Sequence, residues 1–344
     1  MLKGGLVGFG RMGITHFSLL NTHPEVAFKA VCDPSRFVTN NLATFAKSVE
    51  IFTDYKRMLE DVELDFLIIA TPTASHAEVI EAALEKGLHV FVEKPFVLDT
   101  SVGTRLAETA ETAGVVNQVG YFLRFNEVFN AVRQILAENL IGQPLHFKNE
   151  MYGRTVLAPT KKGWRSKKAL GGGCMLDFAS HAIDLADFFF GPPGNVTGSV
   201  LKRVYSKKVE DAVYTTLTYD NDLTGHLLVN WSDASYRRPY NRIEIIGTTG
   251  RIIADRQEYR LYLREPADDG QFEQGWNVRY LPELARHVRF DIRGSEFTSQ
   301  LDHFIDCIAG KMRTNVCSFA DGLQTDRVIE AIERNSRERT VRCG

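Results

Sequence analysis

Apolar and polar positions alternate along this chain in two textures. Up to residue 119, short apolar runs are each followed by an amphipathic stretch. Leu2 to Val7, Val26 to Val31, Leu64 to Ala70, His89 to Val92 and Val115 to Val119 read as strands. Helical spacing begins near Met12 and recurs over Asp54 to Asp61, about Ala77 to Lys86 and about Ser101 to Ala113. Gly87 stops the third of these as a C-cap residue. Repeated strand–helix units of this length predict an α/β domain of the Rossmann type, with a mostly parallel, doubly wound sheet. Ligands of such a sheet bind beyond the carboxyl ends of its strands.

The texture changes after a helical stretch over Phe125 to Asn139 and a break at Gly142-Gln143-Pro144. Leu145 to Tyr152, Val196 to Tyr205, Ala212 to Tyr219, Gly225 to Trp231, Arg242 to Gly247, Arg251 to Asp255 and Tyr259 to Leu263 are short β-rich runs. Turn residues such as Asp220-Asn221-Asp222 and Gly247-Thr248-Thr249-Gly250 separate several of them. Successive strands with short turns predict an α+β domain built on a large, open, mostly antiparallel sheet. Helices over about Glu296 to Ala309 and Phe319 to Ser336 close the chain. The expected domains are 1–122 and 123–344.

The first strand runs into Gly8-Phe9-Gly10-Arg11-Met12-Gly13, and the second ends at Asp33, 20 residues past Gly13. A Gly-x-Gly-x-x-Gly alone is weak evidence, but strand, glycine turn, helix and distal acid together make a dinucleotide fingerprint. Gly8 allows the tight turn, Gly10 lets backbone amides approach a pyrophosphate, and Gly13 permits close strand–helix packing. The helix N-terminus favours the negative charge. Phe9, Arg11 and Met12 lie within the same candidate cofactor loop. Asp33 can accept from a ribose diol and repels a 2′-phosphate, so NAD is expected over NADP. Arg36 is read either as a partner for such a phosphate or as a solvated first-turn residue.

Other chemistry-bearing residues fall at strand ends. Thr71, Pro72 and His76 follow the Leu64 strand, and Glu93-Lys94-Pro95 follows the His89 strand. All are candidates for the cofactor edge. The proline restricts local geometry and permits a cis peptide bond. A lysine held there can donate to a substrate oxygen and stabilise charge developing on it.

Gly171-Gly172-Gly173 opens a helical pattern that carries Asp177, His181 and Asp184 among apolar neighbours such as Met175, Phe178, Ile183 and Phe188. At spacings of four and three the three polar side chains share one stripe. A helix apolar on most sides is expected to be buried. Two readings stay open: a core histidine held by a carboxylate, and an acid/base site. Just upstream, Lys161-Lys162-Gly163-Trp164-Arg165-Ser166-Lys167-Lys168 is either a solvated loop or a grip for an anionic substrate group. Trp164 and Arg165 are its best substrate candidates, since an aromatic–guanidinium pair can stack on and hydrogen-bond a sugar.

Composition narrows the class. The 344 residues are 44% hydrophobic and 24% charged, with a formal net charge of −2, which favours two soluble globular domains over a nucleic-acid binder. No run of 18 apolar residues predicts a membrane span. The N-terminus enters a strand without a signal-peptide pattern, so a cytoplasmic location is expected. The cysteines, Cys32, Cys174, Cys307, Cys317 and Cys343, are scattered and read as reduced thiols without a zinc site. No metal is expected.

Together, Gly8-x-Gly10-x-x-Gly13, Thr71-Pro72 with His76, Glu93-Lys94-Pro95 and the Gly171 to Asp184 segment resemble the glucose–fructose oxidoreductase/inositol dehydrogenase/rhizopine catabolism family over essentially the whole chain. The resemblance implies an oxidoreductase that moves a hydride between a nicotinamide and a secondary alcohol of a sugar, cyclitol or sugar derivative. It implies that Lys94 orients substrate and shares a proton relay with His181, that Asp177 supports catalysis, and that Asp184 accepts from a substrate hydroxyl. Tyr121 and Arg124 would border the nicotinamide pocket. It further implies a homodimer or homotetramer formed through the C-terminal sheet. Relatives that are NAD-dependent glycosidases using transient oxidation, or regulators that bind the dinucleotide without turnover, supply the alternatives.

Overall fold

The computed structural model describes residues 1–155, 163–268 and 270–338. The chain opens with β1 (Leu2–Val7), α1 (Arg11–Leu20), β2 (Val26–Cys32), α2 (Arg36–Phe45), β3 (Glu50–Phe52) and α3 (Tyr55–Asp61). It continues with β4 (Phe66–Ile69), α4 (His76–Glu85), β5 (His89–Val92), α5 (Thr100–Thr112) and β6 (Asn117–Val119). These strands form one parallel sheet in the order β3-β2-β1-β4-β5-β6, the doubly wound arrangement expected. The order reverses between β1 and β4, so the turns that follow these two strands flank the switch point. Strand β3, only three residues long, and helix α2, with Thr39, Asn40 and Asn41 at its centre, were not among the elements read from the sequence.

The next unit carries α6 (Glu127–Ala137), β7 (Pro144–Tyr152), α7 (Ser180–Phe190), β8 (Asn195–Lys202), β9 (Ala212–Thr218) and β10 (Thr224–Asn230). It ends with β11 (Tyr240–Gly247), β12 (Gly250–Asp255), β13 (Glu258–Leu263), β14 (Gly275–Tyr280) and the short α8 (Leu281–Leu284). The eight strands lie in the order β14-β13-β12-β11-β7-β10-β9-β8. Every pairing is antiparallel except β7 with β10. A parallel pair needs a long crossover, and the connection from β7 to β10 contains α7. Edge strand β14 was not among the strands read from the sequence; Trp276, Val278 and Tyr280 alternate there with Asn277 and Arg279, and it is the polar pair that lies opposite Leu261 and Tyr259. Helices α6 and α7 cover one face of the sheet, over buried Phe147, Leu227, Ile243, Ile245, Ile252 and Leu261. Buried Asn149 of β7 donates to the Ala182 carbonyl at 2.8 Å, tying the backbone of α7 to the sheet.

The remaining helices are α9 (Ser295–Ile308) and α10 (Phe319–Arg337). By packing, the first compact unit comprises Met1–Phe122 with His287–Leu323, and the second Leu123–Arg286 with Gln324–Gly344. Residues 287–323 therefore group with the first unit. The reason lies in α9. Phe297, Leu301, Phe304 and Ile305 bury their side chains in the cluster of Leu6, Phe28, Phe66 and Phe91. Phe304 meets Phe66 and Phe91 edge-on, each at 5.9 Å between ring centroids. Periodicity marks α9 as amphipathic without saying which sheet receives its apolar face. Among the described residues no helix is long and apolar enough to cross a membrane. Cys32, Cys174, Cys307 and Cys317 are free thiols, and Cys343 lies outside the described residues.

Phe304→Ala is expected to destabilise the first unit by about 3–5 kcal/mol; an unchanged urea midpoint contradicts the packing of α9. Acid supplies a second test. Burial holds the imidazoles of His23, His76, His89, His146 and His303 below the ordinary histidine value. Each then binds a proton less readily in the folded chain than in the unfolded one. Their contribution is complete above about pH 6.5 and is lost as pH falls through it. The melting temperature should fall between pH 7.5 and 6 in a thermal scan. A flat or rising profile contradicts the assignment.

Candidate active site

At the end of β1 the backbone turns at Gly8, whose φ of +92° is a left-handed value that disfavours other residues. A Cβ on Gly13 would lie 1.9 Å from the Gly8 carbonyl oxygen, so helix α1 can approach the turn only without a side chain there. At Gly10 nothing lies within 4 Å of the position a Cβ would take. Helix α1 begins at Arg11 with Gly10 as its cap, and no side chain satisfies its first amides. Uncapped amides beside open space are what a pyrophosphate requires, so the loop fits a dinucleotide.

Asp33 Oδ2 accepts the Phe9 N–H at 2.8 Å, and its Oδ1 accepts the Ser35 N–H at 2.9 Å. The carboxylate expected at the ribose therefore also braces the loop. The Phe9 ring packs on Phe17 at 5.6 Å, leaving its backbone to the loop. Met12 Sδ accepts from Arg293 at 3.5 Å. Arg11 is exposed, as is Arg36 in the first turn of α2.

Thr71 and Pro72 follow β4, half-buried and exposed respectively. His76 and Glu93, expected at the cofactor edge, have protein partners for their polar atoms. His76 is fully buried: its Nδ1 lies 3.0 Å from the Pro95 carbonyl oxygen and 3.1 Å from that of Phe96, and its Nε2 lies 3.0 Å from that of Thr71. Glu93 Oε1 lies 2.6 Å from Nε2 of fully buried His16 on α1. Burial raises the Glu93 carboxyl, but the His16 hydrogen bond, with the charges of His16 and Lys94, outweighs it and leaves the group below the usual glutamate range. Both side chains are engaged within the first unit. Their polar atoms have turned inward because a buried acid and a buried imidazole each need a partner. Between them Lys94 stays partly exposed, and its peptide bond to Pro95 is cis.

In the second unit the triple glycine serves packing. A Cβ on Gly172 would lie 2.4 Å from the Arg165 carbonyl oxygen. Gly173, at φ +124°, lies against the Glu210 carboxylate, whose Oε1 accepts the Met175 N–H at 2.9 Å. Burial pushes the Glu210 carboxyl up. One π turn over Met175–Ala179 precedes α7. In a π turn hydrogen bonds run i to i+5, so the regular stripe drawn through Asp177 and His181 spans a change of helix type. Such turns are frequent at functional sites.

Asp177 and His181 are 8% and 6% exposed, on a segment whose other polar members are Ser180, Asp184 and Asp187. Arg165 Nε donates to Asp177 Oδ2 at 2.7 Å, and its guanidinium lies 4.7 Å from the Trp164 ring centroid. The aromatic–guanidinium pair expected at the substrate is present, with Asp177 as its ion-pair partner. Lys168 pairs with Glu333 at 3.2 Å, while Lys161 and Lys162 lie outside the described residues.

Asp184 and Arg124 were expected at the substrate. Asp184 is fully buried, and its Oδ1 accepts from Arg124 Nε at 2.9 Å. The guanidinium, 5.5 Å from the Phe188 ring centroid, completes a buried brace between α7 and the segment before α6. Tyr121, after β6 in the first unit, is likewise fully buried. Sequence reasoning missed His16, Asn149 and Glu210. For His16 and Asn149 the available signal was a polar residue at an apolar helix or strand position, which named no partner, and Glu210 lies in the connection between β8 and β9.

Comparison with known proteins agrees with this geometry. The family described as "Oxidoreductase family, NAD-binding Rossmann fold" matches residues 2–121, and the "GFO/IDH/MocA C-terminal domain" matches residues 129–253. The chain is 26% identical over 318 residues to scyllo-inositol 2-dehydrogenase (NAD(+)) of Bacillus subtilis, covering 89% of this chain and 86% of the relative. It is 25% identical over 303 residues to myo-inositol 2-dehydrogenase of Thermotoga maritima, covering 84% and 87%. Among solved structures, levoglucosan dehydrogenase in complex with NADH shares the fold with a TM-score of 0.87 at 23% identity, over 98% of this chain and 97% of that one. The WlbA dehydrogenase from Bordetella pertussis, in complex with NADH and UDP-GlcNAcA, shares it with a TM-score of 0.87 at 22% identity, over 98% and 96%. With both halves matched, the fold reproduced and the cofactor loop built as a dinucleotide requires, the chain belongs to the Gfo/Idh/MocA family of NAD-binding oxidoreductases.

Proposed function

We propose that this oxidoreductase interconverts a secondary alcohol and its ketone on a sugar, cyclitol or sugar derivative, with NAD. The observation that carries the reading is that Asp177 and His181, four residues apart on one mostly apolar segment, are both nearly buried, with the carboxylate ion-paired to Arg165 at 2.7 Å. A buried acid and base are costly to keep, and such pairs cluster where proton transfer is needed. The inositol and levoglucosan dehydrogenases among the relatives support the substrate class.

In oxidation His181 takes the hydroxyl proton. Lys94 donates to the same oxygen as negative charge develops on it. Asp177, with Arg165 behind it, holds the imidazole in register. When bound, NAD supplies the acceptor for the carbinol hydride. Arg124 and Asp184 hold the α7 scaffold, and the buried end of β6 carries Tyr121. The outward face of the eight-stranded sheet, where Ile246, Tyr262 and Trp276 are 37%, 38% and 53% exposed, is the proposed surface for self-association.

Lys94→Met and His181→Asn are each expected to cut turnover by about 100- to 10,000-fold while NAD binding stays near wild type. The assay is reduced-nicotinamide absorbance across inositols, aldoses and nucleotide sugars. Wild-type turnover in both variants overturns the assignment, and product release without net reduced nicotinamide points to a redox-neutral glycosidase. Trp276→Glu is expected to lower the molar mass seen by light scattering; an unchanged oligomer removes this face from the interface.

A further inference from the structure

The turn that presents Lys94 is held on both shoulders, and neither support comes from a residue used in the proposed chemistry. On the N-terminal side Glu93 binds His16 at 2.6 Å. On the C-terminal side His76 faces the carbonyls of Pro95 and Phe96 at 3.0 and 3.1 Å, and reaches the Thr71 carbonyl at 3.0 Å. Both imidazoles have no accessible surface, so neither can meet a substrate. All of these residues lie within the first unit.

The proton inventory makes the supports directional. A carboxylate only accepts. His16 Nδ1 has no hydrogen-bond partner among the described residues, so in either charge state Nε2 carries the proton toward Glu93. His76 faces carbonyl oxygens from both nitrogens, yet a neutral ring has one N–H. The tautomer protonated at Nδ1 serves two of the three acceptors, and both lie in the Lys94 turn. His76 thus fastens the turn to the first residue of α4, and His16 fastens it to α1, which starts at the cofactor loop.

We propose that His76 and the His16–Glu93 pair are positioning residues for Lys94, fixing where its ammonium meets the substrate oxygen. The inference rests on the role given to Lys94 above. A displacement of 1 Å at a reacting group can cost about 100-fold in rate, so a turn pinned at only one end loses turnover without losing cofactor. Glu93 also places a negative charge one residue from the lysine.

The test uses the full-length enzyme with NAD and whichever polyol gives turnover. His76→Ala and His16→Gln should lower kcat about 10- to 100-fold, with KM and NAD binding near wild type. His76→Asn, whose amide N–H replaces the donor at Nδ1, should recover part of that loss. Glu93→Gln removes the neighbouring charge and should move the alkaline limb of the pH–rate profile toward lower pH, because Lys94 then releases its proton more easily. A merely structural role would lower the melting temperature and leave that limb in place. If Lys94→Met is inactive while His76→Ala and Glu93→Gln keep wild-type kcat and profile, the positioning proposal falls and the function stands. If Lys94→Met keeps its turnover, the functional reading itself falls. Should His76→Ala fail to melt cooperatively, His16→Gln and Glu93→Gln decide, and an unchanged kcat with an unshifted limb in both overturns the proposal.

Discussion

The buried hydrogen bond between His16 and Glu93 links two parts of the first unit that the chemistry needs together. His16 sits on the helix whose N-terminus faces the cofactor loop, and Glu93 precedes the lysine assigned to the substrate. A carboxylate removed from water is retained only where a donor compensates its desolvation. Here the compensation joins a β5 turn to α1, so cofactor loop and lysine turn share one rigid frame. The same constraint operates in the second unit, where Asp177 is matched by Arg165 and Asp184 by Arg124. Each of these three pairs fastens a segment bearing proposed active-site chemistry.

These pairs also explain what the sequence made legible. The glycine fingerprint could be read because each requirement is local. Gly8, Gly10 and Gly13 answer to a turn, an approach and a helix contact within six residues, and Asp33 closes the motif at the next strand end. The strand–helix alternation of the first sheet and the hairpin texture of the second were legible for the same reason, since periods of 3.6 and 2 belong to single elements.

Partnerships across the chain were not legible. Glu93 and His76 stood at strand and helix ends where cofactor residues belong, and their inward turn depends on neighbours 77 and 19 residues away. Asp184 was read as a substrate contact, and its partner Arg124, 60 residues distant, was not foreseen. The π turn under Asp177 has no signature beyond the glycines before it, and those are explained by Arg165 and Glu210 pressing on Gly172 and Gly173. Helix α9 shows the same limit for apolar surface: its face was visible, its destination was not.

The claim at the centre of this account is that an alcohol carbon of a polyol gives its hydride to NAD within this fold. Mass spectrometry of the nicotinamide product, after turnover of a cyclitol or sugar deuterated at the reacting carbinol carbon, addresses that claim without intermediaries. One deuterium per reduced nicotinamide is the predicted result. Reduced nicotinamide without the label, or substrate consumed with NAD left oxidised, contradicts it.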